Sequence, residues 1–198
     1  VDAIIMAGGR GERLRPLTDE TPKPLLKVGN KPILEHNIDR LNNFGIDDVW
    51  ISIRYLGEQI KATFEKGEDK SMRIKYVSEE SPLGTAGALS LVDEFVHDHI
   101  LMMNSDLLTT IDFEEFYLFF QEHDADLAVA CIPYQVNIPY AVMETENLVV
   151  TGFKEKPTYT HYSNAGIYLM KRSVSELVPK NKVFNATDLM EELIKSGK

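Results

Sequence analysis

A single cysteine in 198 residues, Cys131, cannot close an intrachain disulfide, so the fold has to rest on its core. Cys131 lies in the apolar run Leu127 to Pro133, which predicts a buried strand position. No run of eighteen or more apolar residues occurs, which leaves no candidate for a membrane-crossing helix. The opening segment Val1 to Met6 is too short for a secretory signal and lacks its basic flank. Together these absences predict a folded chain of the cytoplasm. Positive charge is scarce as well: 21 Lys and Arg stand against 31 Asp and Glu, a net charge of -10. Nucleic acids and anionic membranes both recruit cationic faces, so neither is expected as a partner. With 43% hydrophobic residues and no repeat, low-complexity tract or dividing linker, the length fits one core.

The cations that are present are clustered. Between Gly8 and Lys31 stand Arg10, Arg13, Arg15, Lys23, Lys27 and Lys31 against Glu12, Asp19 and Glu20. That segment is +3 and the remainder -13. A solvated charge run would look similar, but glycines and prolines interleave with these cations, which fits a shaped site for a small anion.

Short apolar runs alternate with amphipathic stretches from the start: Ala3 to Met6, Ile33 to Phe44, Val49 to Ile53, then Ile60 to Phe64. Further strands are predicted at Ile74 to Val77, Ile100 to Met103, Leu127 to Ile132, Ala141 to Glu144, Leu148 to Phe153 and Gly166 to Met170. Helices are predicted near Ala86 to Val96, Phe113 to His123 and Ala186 to Lys195. Leu34, Ile38 and Leu41 share one helical face, with Gly45 placed to end that helix. The order implies a mostly parallel sheet covered by helices, with ligands at the carboxyl ends of its strands. The strands at Ala141 to Glu144 and Leu148 to Phe153 read as a hairpin beside that crevice.

Directly after the first strand comes AGGRGERLRPLT, Ala7 to Thr18. Glycines 8, 9 and 11 allow close backbone approach, so successive N–H groups can face a polyphosphate, and Arg13 offers a planar fork of donors. A dinucleotide fingerprint would need glycine or alanine at Leu14, and a P-loop needs a Gly-Lys-Ser/Thr ending; both fail. In Thr21 to Leu26, TPKPLL, two prolines restrict the backbone around Lys23 and hold its ammonium in a defined place. Asp106 follows the apolar run Ile100 to Met103, at the carboxyl end of a strand, where a lone aspartate is more often a turn residue.

Ala7 to Leu26 resembles the signature of the sugar-1-phosphate nucleotidyltransferase family, approximately G-G-x-G-x-R-L-x-P-L-T followed by P-K-P-L. YVSEESPLGTAGAL (Tyr76 to Leu89), MNSDLL (Met103 to Leu108), FKEKP (Phe153 to Pro157) and NAGIY (Asn164 to Tyr168) follow in the family's order. The resemblance implies a Rossmann-like three-layer α/β/α fold and one catalytic domain over residues 1–198, truncated at both ends. It assigns Ala7, Gly8, Gly9 and Gly11 to the nucleotide phosphates and makes Arg13, Lys23 and Asp106 catalytic. Glu79, Pro82, Gly84, Thr85 and Gly87 would meet base and ribose, with Thr85 also readable as a helix N-cap. The acceptor would meet Tyr140, Ala141, Glu155, Lys156, Asn164 and Gly166, and Asp106 would hold Mg²⁺.

The implied reaction is attack by a sugar 1-phosphate oxygen on the α-phosphorus of a nucleoside triphosphate, with release of pyrophosphate. No enzyme nucleophile is needed, because the attacking oxygen is already anionic. Such chemistry belongs to nucleotide-sugar and polysaccharide biosynthesis. The PKPLL, PLGTAGAL and NAGIY versions most resemble mannose-1-phosphate guanylyltransferases, which makes GTP and mannose 1-phosphate the first expectation. UTP or dTTP with another hexose 1-phosphate is the alternative, and a homo-oligomer is left open. Three positions depart from the common pattern: Glu12 for threonine, Ser105 for glycine and Ala141 for glycine. The chain also stops at Lys198, before the W-x-D-I-G segment that gives relatives a second metal carboxylate, and Asp188 reads as a helix-start residue. A nucleotide-sugar-binding regulatory module without full activity is therefore the rival reading.

Overall fold

The computed structural model describes residues 1–64 and 72–197, so Lys198 of the domain read from the sequence lies outside the described residues. Strand β1 (Asp2–Met6) opens the chain. The loop after it carries two single 3₁₀ turns, Glu12–Leu14 and Lys23–Leu25, and a small antiparallel ladder of β2 (Lys27–Val28) and β3 (Lys31–Pro32). Helix α1 (Ile33–Asn43) leads to β4 (Asp48–Ile53), and α2 (Gly57–Phe64) comes before β5 (Arg73–Ser78). A 3₁₀ segment, Gly87–Leu91, precedes β6 (His99–Asn104), and helix α3 (Phe113–Glu122) precedes β7 (Leu127–Asn137). The hairpin of β8 (Val142–Glu146) and β9 (Val149–Lys154) follows. The long β10 (Thr158–Lys171), the short α4 (Arg172–Ser175) and α5 (Ala186–Lys195) complete the chain.

The chain divides into two compact units, one of Val1–Ala128 with Gly166–Lys198 and one of Val129–Ala165. Among the described residues the main sheet has the order β5-β4-β1-β6-β10-β7. β1 pairs in parallel with β4 and β6, β4 pairs in parallel with β5, and β10 runs antiparallel to β6. This is the mostly parallel α/β sheet that the alternation of elements predicts. Ala3, Ile4 and Ile5 of β1 are fully buried, as a central strand covered on both faces requires. Leu34, Ile38 and Leu41 are also fully buried, each contributing roughly 1.5–3 kcal/mol by leaving water. Helix α1 stops as expected: Gly45 takes a φ of 71° and its N–H reaches Asn42 O at 2.9 Å. No helix among the described residues is long and apolar enough to cross a membrane.

Several expectations need correction. The helix predicted at Ala86 to Val96 is only the 3₁₀ segment Gly87–Leu91, and Gly87 packs so closely against Leu83 that an added Cβ would stand 2.6 Å from the Leu83 Cβ. Cys131 is exposed, not buried. The apolar run around it does form a strand, but β7 continues to Asn137 and loses its cover after Ala128, where the second unit begins. The hairpin is present with its strands shifted by one or two residues. Asn147 and Leu148 turn it with φ of 48° and 67°, the doubly positive pair that matches strand twist.

Candidate active site

The chain passes from β1 outward through β4 to β5 and then crosses back to β6 on β1's other side, so the strand order reverses at β1. In open α/β sheets such a reversal leaves a crevice at the carboxyl ends of the strands. A cavity of about 750 Å³ lies there. Its walls are Met6, residues 8–14 of the first loop, Lys23, Pro24, Arg54, Glu79, residues 82–85 and residues 104–106.

The first loop is shaped by two glycines. Gly11 has a φ of 63°, and a Cβ on it would meet Thr18 Cγ2 at 3.0 Å and Lys23 Cβ at 3.1 Å. Its carbonyl accepts from the buried Thr18 hydroxyl at 2.9 Å and from Leu14 N–H at 2.9 Å, which closes the loop on itself. Gly8 lies against Glu79, whose Oε1 would be 2.6 Å from an added Cβ. Within the loop, Arg10 lies over the Tyr55 ring at 5.2 Å, and the Tyr55 hydroxyl donates to Asp19 O at 2.9 Å. Residues around α2 therefore brace the loop from behind. Arg13 makes no ion pair among the described residues, and its guanidinium is available to an anion.

Lys23 opens its 3₁₀ turn between Pro22 and the buried Pro24, with Leu25 N–H closing on Pro22 O at 2.8 Å. The restricted backbone carries the ammonium onto the Asp106 carboxylate, 83 positions away in sequence, as an ion pair. Asp106 itself is held beyond the end of β6, where Ser105 N–H meets Met6 O at 3.3 Å and Asn37 of α1 donates to Ser105 O at 3.2 Å. The Asp106 side chain is a third exposed, and Asn104 and Ser105 line the same wall. A single accessible carboxylate on that wall fits a divalent cation that keeps several waters.

The 82–85 turn is fastened from two sides. Glu79 is 8% exposed and accepts from Ser52 Oγ at 2.6 Å and from Leu83 N–H at 3.1 Å. It lines the cavity, but both its oxygens are engaged by the chain. Thr85 does not cap the segment after it. Its Oγ1 accepts from Ala186 N–H at 2.9 Å while its N–H donates to Asn185 Oδ1 at 3.3 Å, so it fastens the turn to the start of α5. Asn185 and Asp188 form a capping box there, which gives Asp188 the helix-start place read from the sequence.

The cavity thus gathers Gly8, Gly9, Gly11, Arg13, Lys23, Glu79, Pro82, Gly84, Thr85 and Asp106. Ala7 and Gly87 are buried behind its walls rather than on them. Tyr140, Ala141, Glu155, Lys156 and Asn164 belong to the second unit, where Tyr140 is 75% exposed and Glu155 and Lys156 follow β9. Gly166 is a buried residue of β10 in the first unit, pressed against the Asn104 side chain, where a Cβ would collide. Sequence reasoning missed Arg54 and Asn104. Both follow or end strands at the carboxyl edge, so the rule that places ligands there was the available signal.

The profile of the family described as nucleotidyl transferase matches residues 2–198. The bifunctional protein GlmU of Methanocaldococcus jannaschii is 32% identical over all of this chain and 48% of that protein. A mannose-1-phosphate guanylyltransferase of Mycobacterium tuberculosis is 34% identical over 92% of this chain and 52% of its own. The chain spans about half the length of the curated relatives it matches. A solved Bacillus anthracis structure, assigned as a glucose-1-phosphate thymidylyltransferase and holding a sucrose, superposes with a TM-score of 0.77. It is 27% identical, over 99% of this chain and 83% of that one.

Proposed function

The chain belongs to the nucleotidyl transferase family, and from that premise we propose that it transfers a nucleoside monophosphate from a nucleoside triphosphate to a sugar 1-phosphate, releasing pyrophosphate. The observation that carries this reading is the convergence of the glycine-shaped loop, Arg13 and the Lys23–Asp106 pair on one cavity of about 750 Å³. A triphosphate brings several negative charges into that space, and the attacking phosphate brings more. The residues must therefore hold anions together and in line, which is where most of the barrier lies.

In this reading the N–H groups of residues 8–11 and the Arg13 fork bind β- and γ-phosphate oxygens. Lys23 leaves Asp106 for the transferring phosphate when nucleotide enters. Residues 82–85, fastened by Glu79 and Asn185, offer backbone groups to the base. The family generally uses a divalent metal. We take it to be Mg²⁺ held through Asp106, supplying charge neutralisation to the phosphates. Tyr140, Ala141, Glu155, Lys156 and Asn164 are the residues we assign to the sugar 1-phosphate, with residues 1–198 acting as one catalytic domain in the cytoplasm. Guanine and mannose are our first choice of base and sugar, supported by relatives named for that pair, with uridine or thymidine donors and other hexoses second.

The test is pyrophosphate release from each nucleoside triphosphate against a panel of sugar 1-phosphates with Mg²⁺. Turnover restricted to one donor and acceptor pair is the expected result. Binding of a nucleotide sugar with no turnover for any pair would overturn the enzymatic reading in favour of a regulatory module.

A further inference from the structure

The amino ends of the strands, at the far edge of the sheet from the cavity, carry a second polar cluster. Asp2 opens β1 and Asp48 opens β4, and the two are register partners. Asp2 is 0% exposed and Asp48 1%. His97, two residues before β6, completes the group. Its N–H donates to Asp2 Oδ2 at 2.7 Å, and its ring Nδ1 lies 3.3 Å from Asp2 Oδ1 and 4.0 Å from Asp48 Oδ2. One ligand atom from each of the three residues falls within 4.8 Å of the others.

The charges here are not fully matched. Arg73 serves both oxygens of Asp48, with Nε donating to Oδ1 at 2.7 Å and Nη2 to Oδ2 at 2.5 Å, and reaches Asp47 at 3.6 Å. Asp2 has no hydrogen-bonded guanidinium; its partner is His97, through the backbone N–H on Oδ2 and the ring Nδ1 beside Oδ1. Asp2 Oδ1 and the Nδ1 of His97 are both buried, and neither makes a hydrogen bond. A fully buried carboxylate oxygen without a hydrogen bond is costly. In the tautomer that leaves Nδ1 unprotonated, two buried lone pairs face each other across 3.3 Å, and a cation between them would satisfy both.

We propose that Asp2, His97 and Asp48 form a divalent-cation site of the zinc class at the amino ends of β1 and β4, separate from the magnesium position at Asp106. Tetrahedral ligands with bonds of about 2.0–2.1 Å stand roughly 3.3–3.4 Å apart, the separation found between Asp2 Oδ1 and His97 Nδ1. An imidazole in the donor set favours zinc over magnesium. The supports such a site needs are in place: the His97 N–H on Asp2 Oδ2 and Arg73 on Asp48 Oδ1 fix the two carboxylates. The His97 side chain is 38% exposed, which gives an ion a route from solvent.

The test uses the tag-free chain carrying Asp106→Asn, so that the cavity carboxylate cannot contribute. Calorimetric titration with Zn²⁺ should show one saturable equivalent, Zn²⁺ should raise Tm, and Co²⁺ should give the visible bands of a four-coordinate site. Adding His97→Asn or Asp2→Asn should weaken Zn²⁺ binding at least about tenfold and abolish the Tm shift. The proposal fails if Zn²⁺ gives neither a saturable heat nor a Tm shift, or if the His97→Asn protein binds it as well. Either result would leave the pair as a His97–Asp2 ion contact only.

Discussion

Lys23 and Arg54 present the residue scale in two forms, a cation already paired and a cation partly unpaired. Lys23 rests on Asp106, so both charges are poised before any substrate arrives. Lys23→Ala is expected to lower kcat by roughly 10² or more, the scale of losing one preorganised charge stabiliser. Steady-state turnover near that of the unaltered protein would remove Lys23 from the chemistry. Arg54 lines the same cavity, and its Nε is buried without a hydrogen-bond partner. A buried donor in that state lacks an acceptor that a phosphate oxygen can supply. Arg54→Ala should therefore raise KM for the nucleoside triphosphate about tenfold, a loss of roughly 1.4 kcal/mol, with a smaller change in kcat. An unchanged KM would give Arg54 a folding role alone.

Thr85 and the start of α5 carry the argument to the scale of elements. Ala186 is buried and its N–H has the Thr85 hydroxyl as acceptor, so Thr85→Val leaves that donor unpaired. The expected cost is about 1 kcal/mol, read as a lower urea midpoint, together with a higher KM for nucleotide because the 82–85 turn loses one of its fastenings. A lowered midpoint with unchanged KM would separate the turn from nucleotide binding. This contact also marks where sequence reading stops. The glycine loop and the bracketed Lys23 were legible because glycine and proline dictate backbone shape locally, and β1, α1 and β4 because their apolar periods are long and regular. Thr85 read as a local cap because its true partner lies 101 positions onward. Glu79 does line the cavity, but nothing in its sequence neighbourhood announces that Ser52 from the adjacent strand arrives at its carboxylate. Cys131 read as buried because an apolar run predicts a strand but not which residues the core covers.

The whole molecule is an acidic body with one basic loop. Outside Gly8 to Lys31 its charge is -13, so a triphosphate meets net repulsion from the rest of the chain and attraction at the cavity wall that Arg10, Arg13, Lys23 and Arg54 share. Attraction confined to one partly exposed wall is screened by salt over about 10 Å at 0.1 M ionic strength and about 3 Å at 1 M. The repulsion is screened too, but it acts over longer distances and fades first, leaving the short-range contacts to decide affinity. KM for the nucleoside triphosphate is therefore expected to pass through a shallow minimum as salt rises from about 0.01 M, then to climb several-fold by about 0.5 M. Chemistry inside the cavity is shielded, so kcat should change less than KM across the same series. Initial rates at fixed Mg²⁺ with varied potassium chloride test this directly. A KM that only falls with salt would mean that the body's negative charge governs capture and that the loop cations contribute little to it.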